Sequence, residues 1–385
     1  MTLFVNARFL GQPVSGVQRY AREIVGALDA LLLRDTALAE RLGPVIALAP
    51  DDAGADPGWQ AIALRRLRGG RGHLWEQGAL GRASRGGVLL SLCNAGPLLH
   101  RRHAVAFHDA HLWTMPAAFS RRYRAWHALL RPRLARRAAL AMTVSRHSAA
   151  ELSPRLDMPA ARFEIVPNAA GHLSAPADPG AALGALGLAP GGYLLAVGNL
   201  SPNKNLARLA QAAARAGAAV PPVVVAGGAA PGVARAGAAG LRMLGRVPDE
   251  TLAALYMGAR GLVFPSLNEG FGIPPLEAMA LGCPVAAARA GALPEVLGDA
   301  ALWFDPRDTD DMARGLRDLA TLDGPARAAV VARGQARAAR FSWDRSAAHL
   351  AGLLVPLVAD ARSSAAEASR SVPRPASPPR SRGAA

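Results

Sequence analysis

The sequence is nearly without lysine: of its 44 basic residues, 43 are arginine, and the single lysine is Lys204. Cysteine is almost as scarce. Cys93 and Cys283 are the only two in 385 residues, which excludes a disulfide framework and a multi-cysteine zinc site. Aromatic residues make up 5% of the chain. No apolar run approaches the ~18 residues that a spanning helix needs. The longest candidate, Leu350 to Val358, is short and contains Pro356. Met1 to Arg8 lacks the charged-then-apolar build of a secretory leader. These absences point to a cytoplasmic protein.

What is present is apolar residues, 51% of the chain, too many for a disordered protein and enough for two cored domains. About a fifth of the residues are alanine, so an arginine- and alanine-rich coding bias accounts for the scarcity of lysine. The position of the one that survives therefore carries information. The net charge is +16, and it is unevenly placed: +11 in residues 1–170, +1 in 171–361 and +4 in 362–385. A basic first half suggests an anionic counterpart, which could be a phosphorylated substrate, a membrane surface or nucleic acid. Basic residues cluster at Arg65, Arg66, Arg68 and Arg71. A second cluster ends at Arg137, where seven arginines are interleaved with Phe119, Tyr123, Trp126, Leu129 and Leu130. The spacing fits a basic amphipathic helix interrupted at Pro132 and able to lie on anionic headgroups. An ordinary surface helix in an arginine-biased chain fits as well. Nothing resembles a zinc finger or an RNP motif, so nucleic acid is not an expected partner.

Short apolar runs alternating with helical stretches predict α/β domains with parallel sheets. Leu3–Val5, Val45–Ala49, Gly87–Ser91, Ala104–Phe107 and Ala141–Val144 read as strands of the first half, with a helix over Val17–Leu33. Tyr193–Val197, Val223–Ala226, Gly261–Pro265 and Pro284–Ala286 repeat the pattern. Four segments follow: a domain at 1–170, a hinge rich in Ala, Pro and Gly at 171–192, a domain at 193–361 and a tail at 362–385. The last helix is able to pack back on the first domain. The tail is Ser, Pro, Ala and Arg with almost nothing to bury, and is expected to be disordered.

Ligands of open parallel sheets bind at the carboxyl ends of strands. Three segments of the second half sit there. In the first, Gly198-Asn199-Leu200-Ser201-Pro202-Asn203-Lys204-Asn205, the lone lysine lies beside a helix start that already favours an anion, so phosphate binding is expected. In the second, Glu269-Gly270-Phe271-Gly272-Ile273, glycines precede a helix opened by prolines, and the amides of Gly270, Phe271, Gly272 and Ile273 can face a diphosphate. Glu269 and Glu277 flank this helix start and can accept paired hydroxyl hydrogen bonds. For Glu277, a bare interaction with the helix dipole accounts equally for the spacing. In the third, Gly245-Arg246-Val247, Arg246 could neutralise phosphate or pair with nearby acids. Asp308-Thr309-Asp310 fits a helix cap rather than a metal site, and Cys283 a small buried residue.

Together these segments resemble the family 4 glycosyltransferases, retaining enzymes with the GT-B fold of two facing Rossmann-like domains. The resemblance rests on glycine-x-x-serine-proline-x-lysine-asparagine at 198–205, the glycine-arginine-valine turn, and two glutamates eight positions apart at Glu269 and Glu277. Ala280 to Val285 and Gly291 to Val296 add to it. The first half is similar more loosely, through Ser15 to Tyr20, Phe107-His108-Asp109, Thr143-Val144-Ser145 and Val166-Pro167-Asn168. The resemblance implies a glycosyltransferase that moves a sugar, of mannosyl or rhamnosyl type by the look of the first half and mannose first, from a nucleoside-diphosphate sugar. The acceptor would be a glycan or lipid-linked molecule of surface polysaccharide assembly, at the inner membrane face. It implies an acceptor-binding first domain, a donor-binding second domain and no metal or other cofactor.

Residue by residue, Lys204 would bind the diphosphate, Glu277 the ribose, and Glu269 with the following amides the transferred sugar. Gly16 would approach the phosphates from the opposite domain, and His108 would stand near the reacting carbon. The family often has a basic residue where this chain has Asn199, so half of the usual basic pair is either missing or supplied from elsewhere, by Arg246 or Arg19. A nucleotide-sugar-binding subunit without turnover and a nucleotide-sugar epimerase are the alternatives.

Overall fold

A computed structural model describes residues 1–228 and 240–370. It contains two wholly parallel sheets. The first comprises β1 (Leu3–Asn6), β2 (Val45–Pro50), β3 (Ile62–Leu67), β4 (Val88–Ser91), β5 (His103–Ala106), β6 (Leu140–Thr143) and β7 (Phe163–Ile165), in the spatial order 3-2-1-4-5-6-7. The second comprises β8 (Leu194–Val197), β9 (Val223–Ala226), β10 (Arg242–Gly245), β11 (Gly261–Phe264), β12 (Val285–Ala288) and β13 (Leu302–Phe304), in the order 10-9-8-11-12-13. The central strands are buried on both faces, which is why they read as unbroken apolar runs. Each sheet reverses its strand order once, between β1 and β4 and between β8 and β11. Such reversals open a crevice beyond the strand ends.

The edges depart from the sequence reading. The strand β3 carries exposed arginines, while β7 and β13 have three residues each, so none forms an apolar run long enough to be read. The helix Arg121–Arg137 is also continuous through Pro132, against the expected interruption. His127, Leu130, Arg131, Leu134 and Ala135 are buried on one side and hold it. Ala128, whose carbonyl loses its partner to the proline, lies on the exposed side where water can replace the bond.

The segment between the sheets is only partly a free linker. A helix over Pro179–Gly184, capped by Asp178 accepting from the Ala181 N–H at 2.9 Å, packs on the helix Asp249–Gly258 through buried Leu183. The terminal helix, Trp343–Arg370, returns to the first domain and packs along the helix Gly16–Arg34. The Ser346 hydroxyl donates to the Pro167 carbonyl at 2.9 Å, and Arg362 reaches the Glu40 carbonyl at 3.2 Å. Leu350, Leu354 and Val358 are fully buried, so this helix joins both halves into one apolar cluster. It also continues nine residues into the segment read as unstructured. Residues 362–370 contain no proline, and the first one comes at Pro373. Residues 371–385, the rest of that tail, lie outside the described residues.

Candidate active site

The loops after β1, β5, β8 and β11 meet between the two sheets. Both β8 and β9 run into glycines with positive φ, Gly198 (+154°) and Gly227 (+147°). A side chain at Gly227 would overlap the Gly198 carbonyl oxygen, and one at Gly198 would strike the Lys204 stem at 3.0 Å. The tight turn thus presses the lysine against the strand ends.

The ammonium of Lys204 stands 2.6 Å from Glu269 Oε1 and 5.0 Å above the Phe264 ring. The side chains are 16% and 13% exposed, so the pair is largely withdrawn from water without being sealed. Asn205, with φ +57°, starts the helix Leu206–Ala216 and donates to the Pro265 and Pro306 carbonyls, fixing the lysine loop to the end of β11. Asn199, in contrast, folds back on its own turn and accepts from the Ser201 N–H at 3.1 Å.

The Glu269 loop is clamped from both sides. A Cβ on Gly270 would come within 2.5 Å of the His108 carbonyl oxygen, and the Gly270 carbonyl accepts from Ser145 Oγ at 2.6 Å and Ser148 Oγ at 3.0 Å. Gly272, with φ +101°, turns the chain into the helix Ile273–Ala280. The Phe271 side chain is buried edge-on against Phe341 at 5.5 Å, which leaves only its backbone to the cleft. Gly16 opens the first helix of the opposite domain, and a Cβ there would lie 3.9 Å from Ile273 Cδ1. Gly16 thus lies across the cleft from the Ile273 side chain.

Glu277 is buried. Its Oε2 accepts from the Tyr256 hydroxyl at 2.7 Å, and its Oε1 stands 2.9 Å from His172 Nε2. Burial, together with this carboxylate, raises the Tyr256 hydroxyl well above its ordinary value, so it stays a donor. Neither Tyr256 nor His172 was singled out in the sequence; a tyrosine inside an apolar helix and a histidine in a linker carry no motif.

His108 is buried at the end of β5. Its Nε2 donates to the Leu92 carbonyl at 2.7 Å, its N–H donates to Asn94 Oδ1 at 2.8 Å, and Tyr20 packs edge-on at 4.8 Å. Burial lowers its pKa, keeping the ring neutral with Nδ1 as its free acceptor. Burial would raise the neighbouring Asp109, but His111 and Arg131 hold it below the usual carboxylate range. The imidazoles of His108 and His111 turn to different partners, Leu92 and Asp109. Asp308 caps the helix Thr309–Thr321, and Cys283 is buried.

The two arginines considered as substitutes for the missing basic residue already bridge the domains. Arg246 donates to the Val14 carbonyl at 3.0 Å, and Arg19 forks onto Asp249 at 2.6 and 2.7 Å. Further along the cleft, Glu295 accepts from the backbone of Arg146 and His147, and Asn268 bonds Glu151 at 3.0 Å.

Comparison with known proteins agrees with this geometry. The sequence profile described as glycosyl transferases group 1 matches residues 191–321. O-antigen chain mannosyltransferase B of Escherichia coli is 37% identical over 265 residues, 64% of this chain and 69% of that protein. The MMP alpha-(1->4)-mannosyltransferase of Mycolicibacterium hassiacum is 45% identical over a shorter stretch of 105 residues, covering 26% of this chain and 25% of that protein. Among solved structures, sucrose-phosphate synthase from Thermosynechococcus elongatus superposes with a TM-score of 0.70 at 18% identity, over 93% of this chain and 99% of its own. Anabaena HepE in complex with UDP-glucose gives 0.66 at 18% identity, over 92% and 98%. These likenesses establish the two-domain fold. With the extent of the Escherichia coli match, they show that the chain belongs to the glycosyl transferases group 1 family and is a glycosyltransferase.

Proposed function

We propose that this glycosyltransferase moves a mannosyl group from a nucleoside-diphosphate sugar to a growing surface glycan, with retention of anomeric configuration. The observation that carries the donor part is the Lys204–Glu269 pair, set where the loops after β8 and β11 meet and opposite Gly16. The relatives named for mannosyl transfer support the sugar, and the HepE complex with UDP-glucose supports a nucleotide-sugar donor.

On this reading the ion pair is a resting state. The donor's diphosphate replaces Glu269 on the ammonium, and the amides of Gly270 to Ile273 at the helix start complete the anion site. Glu269, released from the lysine, accepts hydroxyls of the transferred sugar, and Glu277 those of the ribose. Departure of the nucleoside diphosphate builds negative charge on the leaving oxygen. Lys204 and the amides stabilise that charge without reorganising during the step. The departing phosphate, on the same face as the acceptor, takes the acceptor proton, which retains configuration without a nucleophilic carboxylate. His108, neutral and fixed by Leu92, offers Nδ1 to a hydroxyl of sugar or acceptor. No metal enters, and dialysis against EDTA is expected to leave turnover unchanged.

The acceptor is a glycan or lipid-linked molecule approached from the basic domain, at the inner membrane face. On the helix Arg121–Arg137, Tyr123 (38%), Trp126 (37%) and Leu129 (52%) are exposed among arginines, and Leu74 beside them is 78% exposed. His73 links the two elements, its ring 5.6 Å from that of Trp126. Apolar tips among arginines suit an anionic bilayer surface. Among the described residues, no helix is long and apolar enough to cross a membrane.

The test is incubation of the purified protein with GDP-mannose, UDP-glucose and a panel of mannose-terminated acceptors, with the new linkage read by NMR. An α-linked mannosyl product from the α-linked donor is expected. An inverted linkage would remove the retaining mechanism. Nucleotide-sugar binding without transfer to any acceptor would favour a binding subunit.

A further inference from the structure

Glu277 is held by two residues from different parts of the molecule. Tyr256 belongs to the helix Asp249–Gly258 of the same domain, whereas His172 belongs to the connection between the domains. The chain bends at Gly171, whose φ is +100°. It then sends the His172 ring inward until its side chain is 2% exposed, although Gly171 itself lies in solvent. The ring packs edge-on to Trp343 of the terminal helix, with centroids 6.3 Å apart. Trp343 also meets Tyr20 at 6.1 Å, and Tyr20 meets His108 at 4.8 Å. One pair of aromatic rings thus braces both His108 and His172.

Packing alone does not account for an imidazole here. His172 Nε2 is 2.9 Å from Glu277 Oε1 but off the hydrogen-bond direction, and Nδ1 has no partner among the described residues. An apolar side chain of equal volume would fill the space and leave no buried nitrogen unsatisfied. What the imidazole provides is a polar contact to the one carboxylate oxygen that Tyr256 does not hold. With one oxygen at each partner, a partial turn of the Glu277 carboxylate about its terminal bond breaks the Tyr256 bond and moves the other oxygen off His172.

We propose that His172 is a positioning residue for Glu277: it holds the carboxylate in the orientation that receives the donor's ribose. Because it is carried by the linker and braced by the returning helix, it also ties that orientation to the placement of the two domains. The inference rests on reading Glu277 as the ribose ligand.

The experiment measures binding of GDP and UDP to the full chain by calorimetry, for the wild type, His172→Leu, His172→Gln, Glu277→Gln and the double variant His172→Leu/Glu277→Gln. Leu and Gln both fill the space, but only Gln can hydrogen-bond the carboxylate. His172→Leu is expected to weaken the better-bound nucleotide about tenfold, with His172→Gln recovering most of the loss. The His172→Leu effect should shrink sharply in the Glu277→Gln background, because the two changes remove one interaction. In turnover the effect should appear in KM for the donor more than in kcat. Melting curves separate this from simple destabilisation, which would lower Tm equally for both His172 variants and leave affinity intact. Unchanged affinity in His172→Leu, while Glu277→Gln loses it, overturns the proposal and leaves the ribose reading standing. Unchanged affinity in Glu277→Gln overturns both. If Leu prevents folding, the comparison of Gln with wild type carries the test, and a Gln variant as weak as Glu277→Gln overturns the proposal.

Discussion

At the scale of single residues, Lys204 has the clearest expected effect. Its ammonium is largely shielded from water and paired at 2.6 Å, so a diphosphate that takes over the contact gains a charge-assisted bond. Lys204→Ala is expected to weaken nucleoside-diphosphate binding about 10- to 100-fold, the equivalent of ~1.5–3 kcal/mol, read by calorimetry. Unchanged affinity would show that the ammonium serves only Glu269. Gly270 makes a different kind of contribution. A Cβ there meets the backbone carbonyl of His108 at 2.5 Å, and neither side is a flexible side chain that could move aside. Gly270→Ala should therefore cost about 1–3 kcal/mol as overpacking, lower Tm, and reduce turnover by displacing the Glu269 loop from the first domain. A variant with wild-type Tm and activity would mean the domains do not press together at this point in solution.

At the scale of elements, the helix Arg121–Arg137 shows how packing overrides a local signal. Pro132 removes one backbone bond, yet the buried face around Leu130 and Leu134 keeps the helix whole. Continuity aligns Tyr123, Trp126 and the arginines before the proline with those after it, which makes one basic, apolar-tipped surface instead of two fragments. Liposome flotation is expected to show binding that grows with the fraction of anionic lipid and weakens with salt. Trp126→Ala with Leu129→Ala should reduce it while leaving donor binding intact. Indifference to both lipid charge and salt would remove the membrane contact from the proposal. The edge strands teach the complementary lesson. β7 and β13 have too few residues for a readable period, and only pairing with β6 and β12 makes them strands.

At the scale of the whole molecule, a titrating group lies between the domains. His147 Nε2 stands 3.5 Å from Glu151 Oε2 and 3.3 Å from Asn268 Oδ1. The bond to Glu151, against the opposing effect of burial, raises His147, and the same bond lowers Glu151. A histidine raised by folding contributes stability that is full below its unfolded value of about 6.5 and is lost as pH rises through the higher folded value. A lowered glutamate contributes above its unfolded value of about 4.3 and loses this as pH falls through the lower folded one. The pair thus supports the folded molecule most between roughly pH 4.3 and 6.5. The Tm difference between wild type and His147→Gln should be largest there and shrink as pH rises past 6.5. A difference independent of pH would show that the histidine acts by packing alone.

The sequence by itself determined what is local. The apolar runs of the central strands, the glycine turn carrying the lone lysine, and the glycine–proline start of the Glu277 helix each depend on neighbours a few positions away. So does the helix cap at Asp308. Backbone sterics and side-chain polarity act at that range, and they are written in order along the chain. The tertiary structure decided what depends on residues brought together from afar. It set Lys204 on Glu269, 65 positions away, and committed Arg19 and Arg246 to the opposite domain. It also packed the Pro179–Gly184 part of the expected hinge on the helix Asp249–Gly258 and carried the terminal helix back across both halves. No periodicity foretells His172 beside Glu277. That contact exists because the linker and the returning helix close around one buried carboxylate, and burial is a property of the folded whole.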